Sequence, residues 1–369
     1  MTVTSTTPSL FTPLKVGDLQ LQHRVAMAPL TRFRTPNHIP PEVFGDYYEQ
    51  RASRAGTLIV TEATLIAPQA GGYENVPGIW SQEQIKAWKS VMNKINGKKS
   101  YAFMQLWALG RVAHQDILDK EGVASDVVSA SDVPLGETSD IPRPLTELEI
   151  KEYIRLYAQA AKNAIEAGAS GVELHGANGY LPDQFLHEST NRRTDEYGGS
   201  IENRARFALE VIDALIEAVG AKRVAVRLSP FGEFNNMHPG VSPIPQWSYL
   251  ISELERRAQQ GNRLAYIHLV EPRVNGNVDI EYTGSNEFAR NIWQGILVRA
   301  GGLIRDAEKF AESDPNTVVA LGRYFISNPD LVDRLQKKIP LTPYNRETFY
   351  ATDPHDTRGY IEFKFASQQ

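Results

Sequence analysis

The stretch Gly171–Tyr180, GVELHGANGY, is a short apolar run, Gly171–Leu174, followed by a histidine, an asparagine and a tyrosine within six residues. A strand that releases polar side chains just past its carboxyl end places them where parallel α/β folds keep their active sites, among the loops that follow the strands. Seven further runs rich in Val, Ile and Leu share this character: Val25–Pro29, Thr57–Thr61, Tyr101–Leu106, Val224–Leu228, Tyr266–Leu269, Ile296–Ala300 and Val318–Leu321. Most are continuously apolar, as strands buried on both faces require. Amphipathic segments separate them. Eight strands alternating with helices predict a closed (β/α)8 barrel, a TIM barrel of the α/β class, although an open doubly wound sheet satisfies the same alternation.

Helix boundaries are written in the caps. Thr146 with Glu149 forms a capping box, Ile150, Tyr153, Ile154, Tyr157, Ala158, Ala161 and Ile165 make an apolar stripe, and Gly168 stops the helix. Ser81 with Gln84 opens another helix that closes at Gly97, and Asn328 followed by Pro329 reads as the start of the last barrel helix. Two excursions break the rhythm. A long polar insertion after the third strand, Trp107 to Pro144, predicts a lid or side flap over the strand ends, and a second lies at Asn275–Asn286. Without a repeat beyond the βα unit, a low-complexity tract or a linker, the 369 residues read as a single domain, 1–369.

Composition removes whole classes of function. There is no cysteine, which excludes disulfides, thiolate metal sites and a cysteine nucleophile. The net charge of -5 is spread along the chain without a Lys/Arg block, so neither nucleic acid nor an anionic membrane is an expected partner. MTVTSTTPSL lacks the basic start and apolar run of a signal peptide, and no apolar run approaches the ~18 residues of a membrane span, so a cytoplasmic protein is expected.

The strand ends hold the candidate chemistry. They carry Pro29, Leu30 and Thr31; Glu62 and Ala63; Gln105 and Trp107; His175, Asn178 and Tyr180; Arg227; His268 and Glu271; Gly301 and Gly302; Gly322 and Arg323. Glycine turns plus an arginine after strands seven and eight match the phosphate site of such barrels. Thr31, Gln105 and Arg227 suit the edge of a planar heteroaromatic ring with imide-like groups. His175 and Asn178 can each donate to one carbonyl oxygen, as an oxyanion hole does, and Tyr180, protonated at neutral pH, can supply a proton. Set against this, a lone strand-end histidine is ordinarily structural, and glycine is favoured in any tight βα turn. Arg227 on a buried strand is harder to dismiss, since it calls for an anionic partner. His268 reads as structural. Glu173, His175 and His268 offer a metal-hydrolase alternative, which Arg227 at the same mouth opposes by repelling a divalent cation. No metal is expected.

HGANGYLPDQFL followed by NRRTDEYGGSIENRARF resembles the signature of the old yellow enzyme family, FMN-dependent ene-reductases on a (β/α)8 barrel. MAPLTRFR, EATLIAPQAGGYENVPGIW, MQLWALGR, VRLSPFG, HLVEPR and LGRYFISNPDLVDRL resemble its other motifs in order, and the yeast and fungal branch most of all. The resemblance implies an FMN held by Thr31, Gln105 and Arg227, with backbone contacts around Pro29, Leu30 and Ala63 and its phosphate at Gly301, Gly302, Gly322 and Arg323. It implies NADPH as hydride donor in a ping-pong cycle, His175 and Asn178 binding the carbonyl oxygen of an α,β-unsaturated aldehyde or ketone, and Tyr180 as proton donor. Trp107 and Tyr350 would line the substrate side. A monomer or homodimer is implied, and some relatives act as redox-neutral isomerases of an enal or enone. Ala63 stands where the family usually has glycine and Gly302 where asparagine is common; the loop after HLVEPR is shorter than in the yeast members, and the chain ends soon after Phe365.

Overall fold

The computed structural model describes residues 7–276, 278–281 and 284–368. Most of MTVTSTTPSL, and Asn277, Tyr282 and Thr283 of the second excursion, lie outside the described residues. All eight apolar runs are strands: β1 (Val25–Met27), β2 (Leu58–Val60), β3 (Tyr101–Trp107), β4 (Gly171–Gly176), β5 (Val224–Leu228), β6 (Tyr266–Val270), β7 (Leu297–Ala300) and β8 (Thr317–Leu321). Each pairs in parallel with the next, and β8 pairs back onto β1 through Val319 opposite Val25. That last pairing closes the sheet and decides for the barrel over the open sheet.

Eight principal helices follow the strands: α1 (Glu42–Arg51), α2 (Gln82–Gly97), α3 (Glu147–Glu166), α4 (Ile201–Val219), α5 (Ile244–Gln259), α6 (Glu287–Ile292), α7 (Ala307–Ser313) and α8 (Leu331–Lys337). Both expected capping boxes form, Ser81 with Gln84 and Thr146 with Glu149. Their apolar stripes pack on the outer face of the sheet, where Trp88, Tyr157, Trp247 and Trp293 are fully buried or nearly so. The eighth helix starts later than its sequence suggests. Asp330 is its flanking residue, whereas the Asn328 amide donates to Tyr324 O and Thr342 O and its carbonyl accepts Thr342 N–H. Asn328 is occupied in tying down the chain that returns after the helix, so it cannot cap.

Inside the barrel, small and large residues alternate. Ala26, Ala225 and Ala320 leave room for Phe103 and Tyr266, whose ring centroids lie 5.1 Å apart. An antiparallel hairpin, Leu14–Val16 with Leu19–Leu21, closes the amino-terminal end and adds the buried Val16 and Leu21 to this cluster. Gly17 turns it at φ 56°, where a Cβ would lie 2.3 Å from Lys222 O.

The insertion after β3 is a side flap and not a lid. It carries a short helix, Gln115–Lys120, and a two-residue parallel pairing of Val128–Ser129 with Arg143–Pro144. Arg111 anchors it beside the mouth, donating to Pro134 O, Asn235 O and Asn236 O at 3.0 Å each. Past Trp107 it contributes no residue to the mouth of the barrel. The second excursion does overhang the mouth, through Val274–Asn275 paired with Val278–Asp279.

Candidate active site

The carboxyl ends of the eight strands surround a cavity of about 790 Å³. Its wall contains Pro29, Leu30, Thr31, Ala63, Gln105, Trp107, His175, Asn178, Tyr180, Arg227, Gly301, Gly302, Gly322, Arg323 and Tyr350, so residues from seven strand ends and the carboxyl-terminal segment meet at one place. Glu62 is not among them. It lies buried behind the wall, where its backbone N–H donates to Tyr48 Oη at 2.8 Å, and burial pushes its carboxyl up to about 8.

His175 is 3% exposed, and its Nδ1 has no hydrogen-bond partner. Burial, then the nearby Arg227 and His268, hold it well below the ordinary imidazole range. It is therefore a neutral ring that can donate one N–H without carrying charge. Tyr180 stands edge-on to it, with centroids 4.9 Å apart, and edge-on to Trp107 at 5.0 Å. Burial pushes the Tyr180 phenol above its ordinary value, so it keeps its proton.

Asn178 sits at φ 60°, a left-handed conformation that asparagine tolerates better than most residues. Three neighbours hold the backbone there. Asn178 N–H donates to Ser229 Oγ at 2.8 Å, Gly179 N–H donates to Asp183 Oδ2 at 2.8 Å, and Asn235 Nδ2 donates to Asn178 O at 2.9 Å. Ser229 and Asn235 reach Asn178 only in space, whereas Asp183 lies five residues after it within HGANGYLPDQFL. Ser229 also lies in a quoted motif, VRLSPFG, two residues after Arg227.

Opposite His175 on the next strand, Arg227 is a half-buried cation whose buried Nε lacks a partner; desolvation pulls it down from its ordinary value, and a guanidinium stays charged at neutral pH even so. Gln105 is 1% exposed and donates through Nε2 to Glu173 Oε1 at 2.7 Å. Thr31 contributes a hydroxyl on the opposite wall. At the seventh and eighth strands Gly301 (φ 109°) and Gly302 (φ 67°) turn in conformations that favour glycine, and a Cβ on Gly301 would lie 3.1 Å from Glu271 O. Arg323 adds a cation there, held by Asp279 at 3.0 Å.

The outer wall is aromatic. Phe33 packs at 6.0 Å from Tyr73 and 5.8 Å from Tyr350, and Tyr73 at 5.8 Å from Trp107. Tyr350 reaches the rim because Arg32 staples the carboxyl-terminal segment, donating to Phe349 O and Gly359 O at 2.8 Å each, beside the stacked rings of Tyr47 and Tyr360. Tyr73, Phe33 and Phe234 were not anticipated as wall residues, although Phe33 and Tyr73 lie within the quoted motifs. The metal alternative finds its ligands already engaged: Glu173 Oε2 is 2.9 Å from His268 Nδ1 and Oε1 accepts from Gln105. Among the described residues no group of three or more His, Asp or Glu is placed to hold a metal ion, and no helix is long and apolar enough to cross a membrane.

Comparison with known proteins agrees with this geometry. Residues 9–342 match the profile of the NADH:flavin oxidoreductase / NADH oxidase family. Enoate reductase 1 of Kluyveromyces lactis is 46% identical over 375 residues, covering 96% of this chain and 93% of that protein. Chanoclavine-I aldehyde reductase of Penicillium roqueforti is 46% identical, covering 97% of each. The crystal structure of Old Yellow Enzyme from Pichia sp. superposes with a TM-score of 0.91 at 41% identity, covering 98% of this chain and 95% of that one. The chain belongs to the NADH:flavin oxidoreductase / NADH oxidase family, within its old yellow enzyme group.

Proposed function

We propose that the chain is one FMN-binding barrel domain, residues 1–369, and that it reduces the activated C=C bond of an α,β-unsaturated aldehyde or ketone with NADPH as the hydride donor. The residues present fit the cofactor. Arg227 has a buried, unpartnered Nε and needs an electron-rich neighbour, Gln105 and Thr31 offer complementary hydrogen-bonding groups, and the Gly301–Gly302 turn lies beside Arg323, whose Asp279 partner a phosphate would replace. Pro29, Leu30, Ala63 and Gly322 would complete the seat. FMN, when bound, would accept a hydride from NADPH and pass it to the β-carbon of the substrate in a ping-pong cycle.

The chain's own groups do the rest. His175 and Asn178 would bind the carbonyl oxygen and stabilise the negative charge that develops on it. Neutrality of His175 suits this role, because its N–H donates without a proton being lost to the oxygen. Tyr180 would then give its phenolic proton to the α-carbon. Trp107 and Tyr350 would confine the substrate from the side.

One observation carries the reading: a neutral buried histidine with an unpartnered ring nitrogen lies against a protonated tyrosine, in register with Arg227 on the next strand. The names of the two reductases above support the same substrate class. The test is stoichiometric. Yellow purified protein that releases FMN on denaturation should consume one NADPH for each saturated carbonyl formed from a simple cyclic enone. A colourless protein that cannot be reconstituted, or a double bond that moves without NADPH being consumed, overturns the reading.

A further inference from the structure

Two residues before His175 and beside Arg227, the barrel carries a buried pair, Glu173 with His268, that the proposed reaction does not use. Glu173 lies on β4 two residues before His175, completely buried. Gln105 of β3 lies opposite it on one side and Ala225 of β5 on the other, and His268 of β6 lies opposite Arg227. Both Glu173 oxygens are engaged, Oε1 with Gln105 Nε2 at 2.7 Å and Oε2 with His268 Nδ1 at 2.9 Å. Burial pushes the Glu173 carboxyl up, but the hydrogen bonds it accepts from His268 and Gln105 and the charge of Arg227 outweigh it, and the group stays ionised. Burial and Arg227 hold His268 below the ordinary imidazole range despite Glu173, so its ring is neutral and Nδ1–H donates.

Two consequences follow for the cavity. The Gln105 amide is oriented from below: with its NH2 group given to Glu173, its carbonyl oxygen is left for the cavity that Gln105 lines. The positive charge of Arg227 is also partly offset by a buried carboxylate, in surroundings where such interactions are weakly screened.

We propose that Glu173 is a positioning residue for the cofactor, fixing the Gln105 amide and holding down the reduction potential of the bound flavin by countering Arg227. This rests on the FMN reading above, which the flavin content of the unaltered protein decides before any variant is made. A reduced flavin carries more negative charge than an oxidised one, so a fixed carboxylate nearby favours the oxidised form. Removing that charge should raise the potential.

Glu173→Gln keeps the shape and an oxygen that can accept from Gln105. Spectroelectrochemical titration should show its reduced-to-oxidised ratio about tenfold higher at a given potential, which is about 30 mV for a two-electron couple. His268→Gln retains the carboxylate and should shift that ratio by less than threefold. Glu173→Asp keeps the charge but retracts the oxygens from Gln105 and His268. It should bind FMN at least threefold more weakly, read by fluorescence quenching on the apoprotein, and it keeps the positioning claim testable where Glu173→Gln does not fold. A Glu173→Gln potential less than threefold above the unaltered protein in this ratio, or below it, overturns the charge claim. Equal shifts in Glu173→Gln and His268→Gln overturn it too, and undiminished FMN binding by Glu173→Asp overturns the positioning claim.

Discussion

The two ends of the barrel are built from the same strands and differ in kind. At the amino-terminal end, β3 contributes Phe103 and β5 contributes Ala225, both fully buried among Val16, Leu21, Leu58 and Tyr266 under the hairpin. Two to four residues further along, the same strands contribute Gln105, Trp107 and Arg227, and buried polar atoms go without partners: Trp107 Nε1, His175 Nδ1 and Arg227 Nε. Unpaired buried polar groups cost stability. At the mouth a ligand can satisfy them, and the closed end, largely apolar, supplies stability that the open end gives up.

The sharpest way to break this division is at the bottom. Phe103→Ala should cost about 3–5 kcal/mol, the range for a buried aromatic replaced by alanine, and lower the thermal midpoint. The folded fraction should keep its reaction chemistry. A folded variant with its turnover lost would show that the two ends are not separable. At the top, His175→Ala should remove about 2.7–4 kcal/mol of transition-state stabilisation, a loss of ~10²–10³ in turnover, while the protein keeps its flavin. Full activity in this variant would remove His175 from the carbonyl site.

The bottom has a titratable weak point in His23, which accepts from Val25 N–H through Nδ1 at 3.2 Å and lies 3.0 Å from Thr57 Oγ1 through Nε2. Burial, helped by Arg54, depresses its ring to about 4. Between that value and the ordinary 6.5 the unfolded chain binds the extra proton, so stability falls as the pH drops through this window. The loss approaches on the order of 3 kcal/mol below pH 4. Comparing denaturant midpoints of the unaltered protein and His23→Gln at pH 7 and pH 4.5 measures it, and equal pH slopes would contradict the assignment. Away from both ends, Thr146→Ala should cost only about 1 kcal/mol by opening the α3 capping box, with no change in turnover.

What was legible in the sequence was local. Continuous apolar runs marked all eight strands, the Thr146 and Ser81 boxes marked two helix starts, and polar residues at strand ends gathered at one cavity. What was not legible depends on closure. Ser229 meets Asn178 across 51 residues, and Glu173 meets Gln105 across 68 and His268 across 95. No spacing rule links such positions. Asn328 misled because its capping signal is local while its partner, Thr342, arrives from the returning chain. The flap was recognised by length and polarity, but those say nothing about which way Arg111 ties it.

The central claim is that His175, Asn178 and Tyr180 act on the substrate while the residues beneath them serve the flavin. Tyr180→Phe tests it most directly when the two half-reactions are followed separately by anaerobic stopped-flow absorbance. Bleaching of the flavin by NADPH should proceed at the unaltered rate, and its recovery on mixing with an enone should slow by ~10²-fold or more. Equal slowing of both halves, or an unaffected recovery, would contradict the account.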